Sequence, residues 1–455
     1  MTSSLPRCAI IGAGSSGIAA AKALNAHGLD VTVFEASDRV GGNWVFGNSN
    51  GMSSAYRGLH INTSRERMEF RDFPMPKSYP DYPHHTHIAE YFDAYVDHFG
   101  FRDRIRFRTT VERAERGVGG GWTLTLDDGA VERFDALLVA NGHHWDPRWP
   151  EPAFPGSDVF AGTQMHAHFY RDEEVLRDKD VVVLGMGNSA MDIAVESSYV
   201  ARSTYLAARR GAWIVPKYAF GRPIDQLPND PRIPFAIRRA IMEKILVAQT
   251  GPPERYGLPK PDHRFGAAHP TVSGRILDRI GHGTVVPKPN IARLDGDRVV
   301  FTDGTSVHAD VVVYCTGYKI TFPFFDEDLI CAPDNRIELF RRVFHPDLDD
   351  VFFVGLLQPL GAIMPLAAAQ GEWIADHLRG EYDLPARAEV RADIRRDVDA
   401  MGRRYVSSKR HTIQVDFEEY LRDLDRERRA GAERARARGF PLPVPARAVS
   451  GAAAG

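Results

Sequence analysis

The sequence predicts an α/β chain of two dinucleotide-binding (Rossmann-like) domains, the second inserted into the first. Two glycine-rich turns point there: G-A-G-S-S-G at Gly12–Gly17 and G-M-G-N-S-A at Gly185–Ala190. A third observation is their setting, since each follows an apolar strand-like run and precedes an Ala-rich helical stretch. One G-x-G-x-x-G is weak evidence, but two in this setting imply two nucleotides on one polypeptide, with a hydride passing between them.

At the first turn, Cys8-Ala9-Ile10-Ile11 suits a buried parallel strand. Gly12 permits the tight bend, Gly14 lets the backbone approach a pyrophosphate, and Gly17 lets the following helix pack on the strand. Ser16 stands at the start of that helix, whose amide end and positive dipole face the phosphates. Val31-Thr32-Val33-Phe34 reads as the second strand, and it ends at Glu35, where this fold places an acid for ribose hydroxyls.

The second turn repeats the pattern after Val181-Val182-Val183-Leu184, with Gly185, Gly187, Asn188 and Ser189 as its contacts. Its second strand, Thr204–Ala208, ends in Arg209-Arg210 instead of an acid. Arginine accommodates a 2′-phosphate, so the first site reads as FAD and the second as NADPH. The arginine pair also admits a plainer reading as solvated loop charge.

Length and composition fit. A chain of 455 residues holds two or three domains with substantial cores. A net charge of −3 gives no global pull toward nucleic acid or a membrane surface. Cys8, Cys315 and Cys331 form no C-x-x-C, against a disulfide scaffold, a thiolate zinc site or a redox dithiol. Met1–Arg7 is too short and polar for a signal peptide, and no run approaches the roughly 18 apolar residues of a membrane span. A soluble cytoplasmic protein is expected.

Residues 1–162 are expected to hold the first part of the FAD domain. They include an antiparallel excursion, Ile105–Arg113 with Gly121–Leu126, and a returning strand at Phe134–Asn141. The proline-rich Trp145–Pro155 reads as the crossing. Residues 163–304 are expected to form the NADPH domain, with an irregular insert at 218–270 carrying one helix, Phe235–Ala248. Residues 305–440 return to the FAD domain through the strand Asp310–Cys315, Thr316-Gly317-Tyr318 and a small-residue helix around Ala367–Leu378. The charged stretch Arg387–Gly439 could cap the fold or form the contact of a homodimer. Residues 441–455 read as a disordered Pro/Ala/Gly tail.

The run Phe160-x-Gly162-x-x-x-His166-x-x-x-Tyr170-Arg171-Asp172 resembles the identifying motif of the flavin-containing monooxygenases, F-x-G-x-x-x-H-x-x-x-[FY]. Gly41-Gly42-Asn43-Trp44 is similar to that family's second flavin-contacting glycine pair. Tyr56–Pro76 resembles the segment holding its active-site asparagine, here Asn62. Asp310–Tyr318, ending C-T-G-Y, is like the family's A-T-G-Y run. Gln370, in A-A-A-Q-G-E-W, stands where these enzymes carry a glutamine before a flavin-proximal helix. The resemblance covers roughly Arg7 to Leu378; Cys315 replaces the usual alanine and Asn43 the more frequent Leu or Thr.

This resemblance implies a class B flavoprotein monooxygenase. NADPH reduces FAD, oxygen adds to give a flavin hydroperoxide, and retained NADP⁺ shields it. A soft nucleophile, an amine nitrogen or sulfide sulfur, takes the distal oxygen. The partners are then a small-molecule substrate and O2. The cofactor carries the difficult chemistry, so no catalytic triad or carboxylate pair is needed. Asn62 becomes the catalytic residue, its amide able to donate and accept beside the flavin adduct and NADP⁺; it also reads as a turn residue before Thr63-Ser64. Gly42, Trp44, Thr316, Gly317 and Gln370 join the cofactor contacts. Phe160, Gly162, His166 and Tyr170 form a domain-junction motif, with His166 read as a hydrogen-bonded hinge ahead of an acid/base group. Trp213 and Tyr218 read as packing or pocket wall. His84-His85-Thr86-His87 lack a defined coordination set, so no metal is expected.

Three alternatives stand beside this. A Baeyer–Villiger enzyme acting on ketones usually ends the junction motif in Trp followed by Pro or Asp, where Tyr170-Arg171 stands here. A flavin pyridine-nucleotide disulfide reductase needs a redox cysteine pair. A non-catalytic redox sensor would bind both cofactors without turnover. The substrate is not written in the motifs; pocket walls are expected from 218–270 and Gln358–Pro365.

Overall fold

The computed structural model describes residues 5–227, 232–405 and 412–438. The tail read as disordered, 441–455, lies outside them.

Two five-stranded parallel sheets organise the chain. The first has the order Val351–Phe353, Ala136–Val139, Arg7–Ile11, Asp30–Glu35, Ile105–Phe107. The second has the order Val286–Pro289, Ser203–Ala208, Asp180–Leu184, Val311–Tyr314, Thr163–His166. Their central strands are continuously apolar because both faces are covered, one by helices and the other by a three-stranded antiparallel unit, and Cys8, Ala9, Ile10 and Val181 to Val183 are fully buried.

In each sheet a glycine turn leaves the carboxyl end of the central strand and enters a helix, Ser15–Ala26 in the first and Asn188–Val200 in the second. Small residues let the helix Met364–Leu378 lie close against the first of these, since a Cβ on Gly371 would stand 3.0 Å from the Ala20 Cα. That helix starts a turn earlier than expected, with Pro365 in its first turn, where a missing N–H costs nothing.

Three expectations need correcting. Ile105–Arg113 is not one antiparallel strand. Ile105–Phe107 extends the parallel sheet, Arg108 turns the chain at φ +51°, and only Val111–Arg116 pairs antiparallel with Trp122–Leu126. The amides of Arg108 and Thr109 donate to the carbonyls of Ser37 and Glu35, which holds this bend at the sheet edge. Phe134–Asn141 likewise divides, Val131–Phe134 pairing antiparallel and Ala136–Val139 parallel.

The return at residue 305 also moves. Ser306–His308 completes an antiparallel unit with Arg298–Phe301 and Ile291–Asp295, and Val311–Tyr314 lies inside the second sheet. The chain therefore leaves that sheet only after Tyr314. Its return segment Tyr318–Lys319 pairs antiparallel with the outgoing Asp146–Pro147, and Thr316 Oγ1 donates to the Arg148 carbonyl at 2.5 Å. The two crossings thus brace each other. The insert holds a hairpin, Tyr218–Ala219 with Arg222–Pro223, and the helix Phe235–Thr250. No helix among the described residues is long and apolar enough to cross a membrane.

Candidate active site

Both glycine turns open onto one cavity of ≈ 1620 Å³. At the first, Gly12 takes φ +100°, and a Cβ there would lie 2.6 Å from the Ala140 carbonyl oxygen. Gly17 does not line the cavity; its hydrogen faces the Gly12 carbonyl, where a Cβ would fall at 1.8 Å, so its part is close packing of the helix. Gly42 comes up against Gly14, a Cβ on it lying 3.1 Å from the Gly14 Cα. The helix Ser15–Ala26 begins at Gly14 with no side-chain cap. Its first amides, beside cavity-lining Gly14 and Ser16, are left for an anion. Glu35 is buried at the strand end, Oε2 accepting from the Ala13 N–H at 2.7 Å and Oε1 from the Ser37 N–H at 2.8 Å. Each oxygen keeps a lone pair for a hydroxyl. Trp44, Thr316 and Gly317 line the same cavity. Uncapped amides, glycines without room for a Cβ and a ribose-facing acid fit a dinucleotide.

The second turn is built alike. Gly185 takes φ +146°, with the Cys315 carbonyl oxygen 2.9 Å from where a Cβ would stand, and the helix Asn188–Val200 starts at Gly187 without a side-chain cap. Asn188 Oδ1 accepts from the Val272 N–H at 2.8 Å, fixing the turn to a neighbouring segment. Ser189 and both arginines line the cavity. The arginines differ, however. Arg210 is tied to Asp262 at 2.7 Å, whereas Arg209 is exposed and makes no ion pair or hydrogen bond among the described residues. Among the described residues Arg209 is therefore the member of the pair left without an anion.

Asn62 lines the cavity, and its side chain has no hydrogen-bond partner among the described residues. Its backbone is held from both sides by residues of the second domain. Lys217 Nζ donates to the Ile61 carbonyl at 3.3 Å, and the Ser64 N–H donates to Asp225 Oδ2 at 2.6 Å. Upstream, the Tyr56 hydroxyl donates to Asp192 Oδ2 at 2.5 Å. Burial raises the Asp192 pKa and lowers that of Lys217, and each charge partly offsets the other's shift. Sequence reasoning missed Lys217 and Asp225; nothing local in W-I-V-P-K or P-I-D-Q marks them.

The junction motif knits the second sheet. A Cβ on Gly162 would fall 2.7 Å from both the Ala309 carbonyl oxygen and the Phe160 ring, and Phe160 packs with Tyr314 in a buried cluster. His166 is fully buried, its Nδ1 accepting from the His168 N–H at 3.0 Å while Nε2 has no hydrogen-bond partner among the described residues. Burial lowers its pKa to about 4, so the ring is neutral near pH 7. Tyr170 donates to Glu196 Oε2 at 2.6 Å.

Gln370 departs from expectation. It is fully buried away from the cavity, its Oε1 accepting from the Gly355 N–H at 2.8 Å and its Nε2 donating to the Tyr420 hydroxyl at 2.7 Å. Both ends of its amide are hydrogen-bonded, so it supports the wall from behind and does not line the cavity. The wall it supports is tight, since a Cβ on Gly355 would fall 1.9 Å from Ser16 Oγ. His84 caps the helix His85–His98, and the His85 N–H donates to the Leu59 carbonyl, so these histidines anchor the segment before Asn62. Trp213 Nε1 donates to the His263 carbonyl at 3.0 Å and the Tyr218 hydroxyl to Asp81 at 3.0 Å, both structural contacts.

Residues 6–432 match the family described as flavin-binding monooxygenase-like. Flavin-containing monooxygenase 5 of Rattus norvegicus is 37% identical over 438 residues, 92% of this chain and 82% of that protein. Dimethylaniline monooxygenase [N-oxide-forming] 2 of Oryctolagus cuniculus is 32% identical, again over 92% and 82%. Among solved structures, S-allyl-L-cysteine S-oxygenase from Allium sativum superimposes with a TM-score of 0.70 at 27% identity, over 96% of this chain and 93% of that one.

Proposed function

The chain belongs to the flavin-binding monooxygenase-like family, and from that premise we propose that it oxygenates soft nucleophiles, the nitrogen of small amines or the sulfur of sulfides. It is an FAD-containing, NADPH-dependent monooxygenase, with O2 and a small molecule as its other reactants. One observation carries the reading: Asn62, in the first domain, presents an amide with no hydrogen-bond partner among the described residues at the cavity wall, while second-domain residues hold its backbone. The N-oxide-forming and S-oxygenating relatives support a heteroatom as the acceptor.

Bound FAD, reduced by NADPH, supplies the oxygen-activating chemistry. The chain's residues bind, orient and shield. Gly12, Gly14, Ser16, Gly42 and the uncapped helix end receive the FAD pyrophosphate, Glu35 its ribose, and Trp44, Thr316 and Gly317 its surroundings. Gly185, Gly187, Asn188 and Ser189 receive the NADPH pyrophosphate, and Arg209 its 2′-phosphate, with Arg210 held aside by Asp262. Asn62 donates and accepts hydrogen bonds at the reacting centre without titrating. Free Cys8, Cys315 and Cys331 support a reducing, cytoplasmic setting. The helices Arg387–Arg404 and Phe417–Arg438 are offered as the contact of a homodimer.

Product analysis tests this reading. Trimethylamine or a methyl sulfide should stimulate NADPH oxidation and yield the N-oxide or sulfoxide. Esters from cyclic or phenyl ketones, with no heteroatom product, would replace it with Baeyer–Villiger chemistry.

A further inference from the structure

Six arginines line the cavity, Arg67, Arg148, Arg209, Arg210, Arg238 and Arg239, and their partners separate them. Arg67 pairs with Glu418 at 3.2 Å, Arg238 with Glu419 at 3.3 Å and Arg210 with Asp262 at 2.7 Å. Arg148 donates to Asn335 Oδ1 at 2.8 Å. Only Arg209 and Arg239 have no ion pair or hydrogen bond among the described residues. The first stands at the strand end proposed above for the 2′-phosphate. The second needs its own account.

Arg239 lies on the helix Phe235–Thr250 of the insert, half-buried, with its Nε shielded from solvent and lacking an acceptor among the described residues. Its nearest acid along the helix, Glu243, is already taken. Arg264 grips it through Nε at 2.8 Å and Nη2 at 2.7 Å, and the Phe265 N–H donates to it at 2.9 Å. Glu243 feels the Arg239 charge but makes no ion pair with it, and a half-desolvated guanidinium with no hydrogen-bonded anion among the described residues costs free energy that a ligand carboxylate can recover. Phe235, Met242 and Phe265 supply apolar wall on the same stretch of cavity. A planar fork beside apolar surface matches a carboxylate on a small hydrophobic body.

We propose that Arg239 anchors a carboxylate of the substrate, which makes the substrate an acidic thioether or amine. The heteroatom in that statement rests on the function proposed above; the anionic anchor is separable from it.

Calorimetry on the FAD- and NADP⁺-loaded enzyme tests the anchor with 3-(methylthio)propanoate and its primary amide. The wild type should bind the acid roughly tenfold or more tighter than the amide. Arg239→Gln should abolish that preference while amide binding, FAD content and NADP⁺ affinity hold, and Arg239→Lys should keep part of it. Equal binding of acid and amide by the wild type, no detectable binding of the acid, or a preference surviving in Arg239→Gln would overturn the proposal. So would a tenfold loss of NADP⁺ affinity in Arg239→Gln, which would give this cation to the dinucleotide. Turnover of the same two compounds decides the heteroatom separately, because an acid preference without any sulfoxide would remove the oxygenation reading and leave the anchor standing.

Discussion

The Tyr56 hydroxyl donates to Asp192 Oδ2 at 2.5 Å, and so ties the segment leading to Asn62 to the helix that opens the second glycine turn. One turn along that helix the contact is repeated at Glu196. A Cβ on Gly58 would fall 2.0 Å from Glu196 Oε1, and Tyr170 of the junction motif donates to Glu196 Oε2 at 2.6 Å. Two acids at i and i+4 present one face, and that face holds a first-domain segment and the junction together.

This pairing predicts a pH dependence. Burial, with the nearby charges of Asp192, Glu173 and Asp172, pushes the Glu196 carboxyl up to about 7 from 4.5, against the opposing hydrogen bond from Tyr170. A folded pKa above the unfolded one contributes stability that is full below the unfolded value and is lost as pH rises through the folded value. Between pH about 4.5 and about 7, Glu196 should therefore withdraw up to roughly 3 kcal/mol. Glu196→Gln should flatten that part of the profile in urea unfolding measured at several pH values. An identical slope in the variant would show that Glu196 does not carry it.

Asn62→Ala should separate the two half-reactions. Flavin reduction by NADPH should proceed at close to the wild-type rate, since Asn62 lies outside both glycine turns. Oxygenated product should fall on the order of 100-fold, the scale for losing one preorganised hydrogen bond at a reacting centre, and hydrogen peroxide should appear instead. Wild-type coupling of NADPH consumption to product in this variant would remove Asn62 from the chemistry.

Arg209 and Arg210 should be unequal. Arg209 makes no ion pair or hydrogen bond among the described residues, and Arg210 is held by Asp262. Arg209→Ala should raise KM for NADPH by roughly 10- to 100-fold and leave KM for NADH nearly unchanged, as expected for one charge-assisted contact. Arg210→Ala should change the ratio by only a few-fold. Equal losses with both coenzymes, or a larger effect at Arg210, would reassign the phosphate contact.

How far the sequence reveals these features follows from how local each one is. The two turns were legible because strand, glycines and helix are contiguous and the missing Cβ has a steric cause at each position. Glu35 and Arg209 follow at the end of the next strand. Asn62 was legible only through the resemblance of Tyr56–Pro76, since alone it reads as a turn residue. Lys217, Asp225 and Arg239 left no trace, because the first two depend on partners about 150 or more residues away and Arg239 on having no ion pair or hydrogen bond among the described residues. Gln370 was misplaced because a motif position says nothing of where the amide points; Gly355 and Tyr420 consume it. The break at Arg108 escaped as well, because a left-handed φ at a non-glycine residue has no reliable sequence signature.

Two residues of the second domain should control Asn62 from outside the reacting centre. The Ser64 N–H donates to the Asp225 carboxylate at 2.6 Å, and Lys217 Nζ donates to the Ile61 carbonyl at 3.3 Å. Asp225→Asn keeps the shape and removes the charge, and Lys217→Met removes a buried donor and a charge facing Asp192. Each should leave FAD content and the rate of flavin reduction intact and should lower coupling to a value between wild type and Asn62→Ala. A weakened charge-assisted hydrogen bond is worth about 1–3 kcal/mol, enough to let the loop sample other positions for a sizeable fraction of the time. Combined with Asn62→Ala, neither should lower coupling further, because the residue they position is already gone. Additive losses in the double variants would mean that Lys217 and Asp225 act by some route other than Asn62.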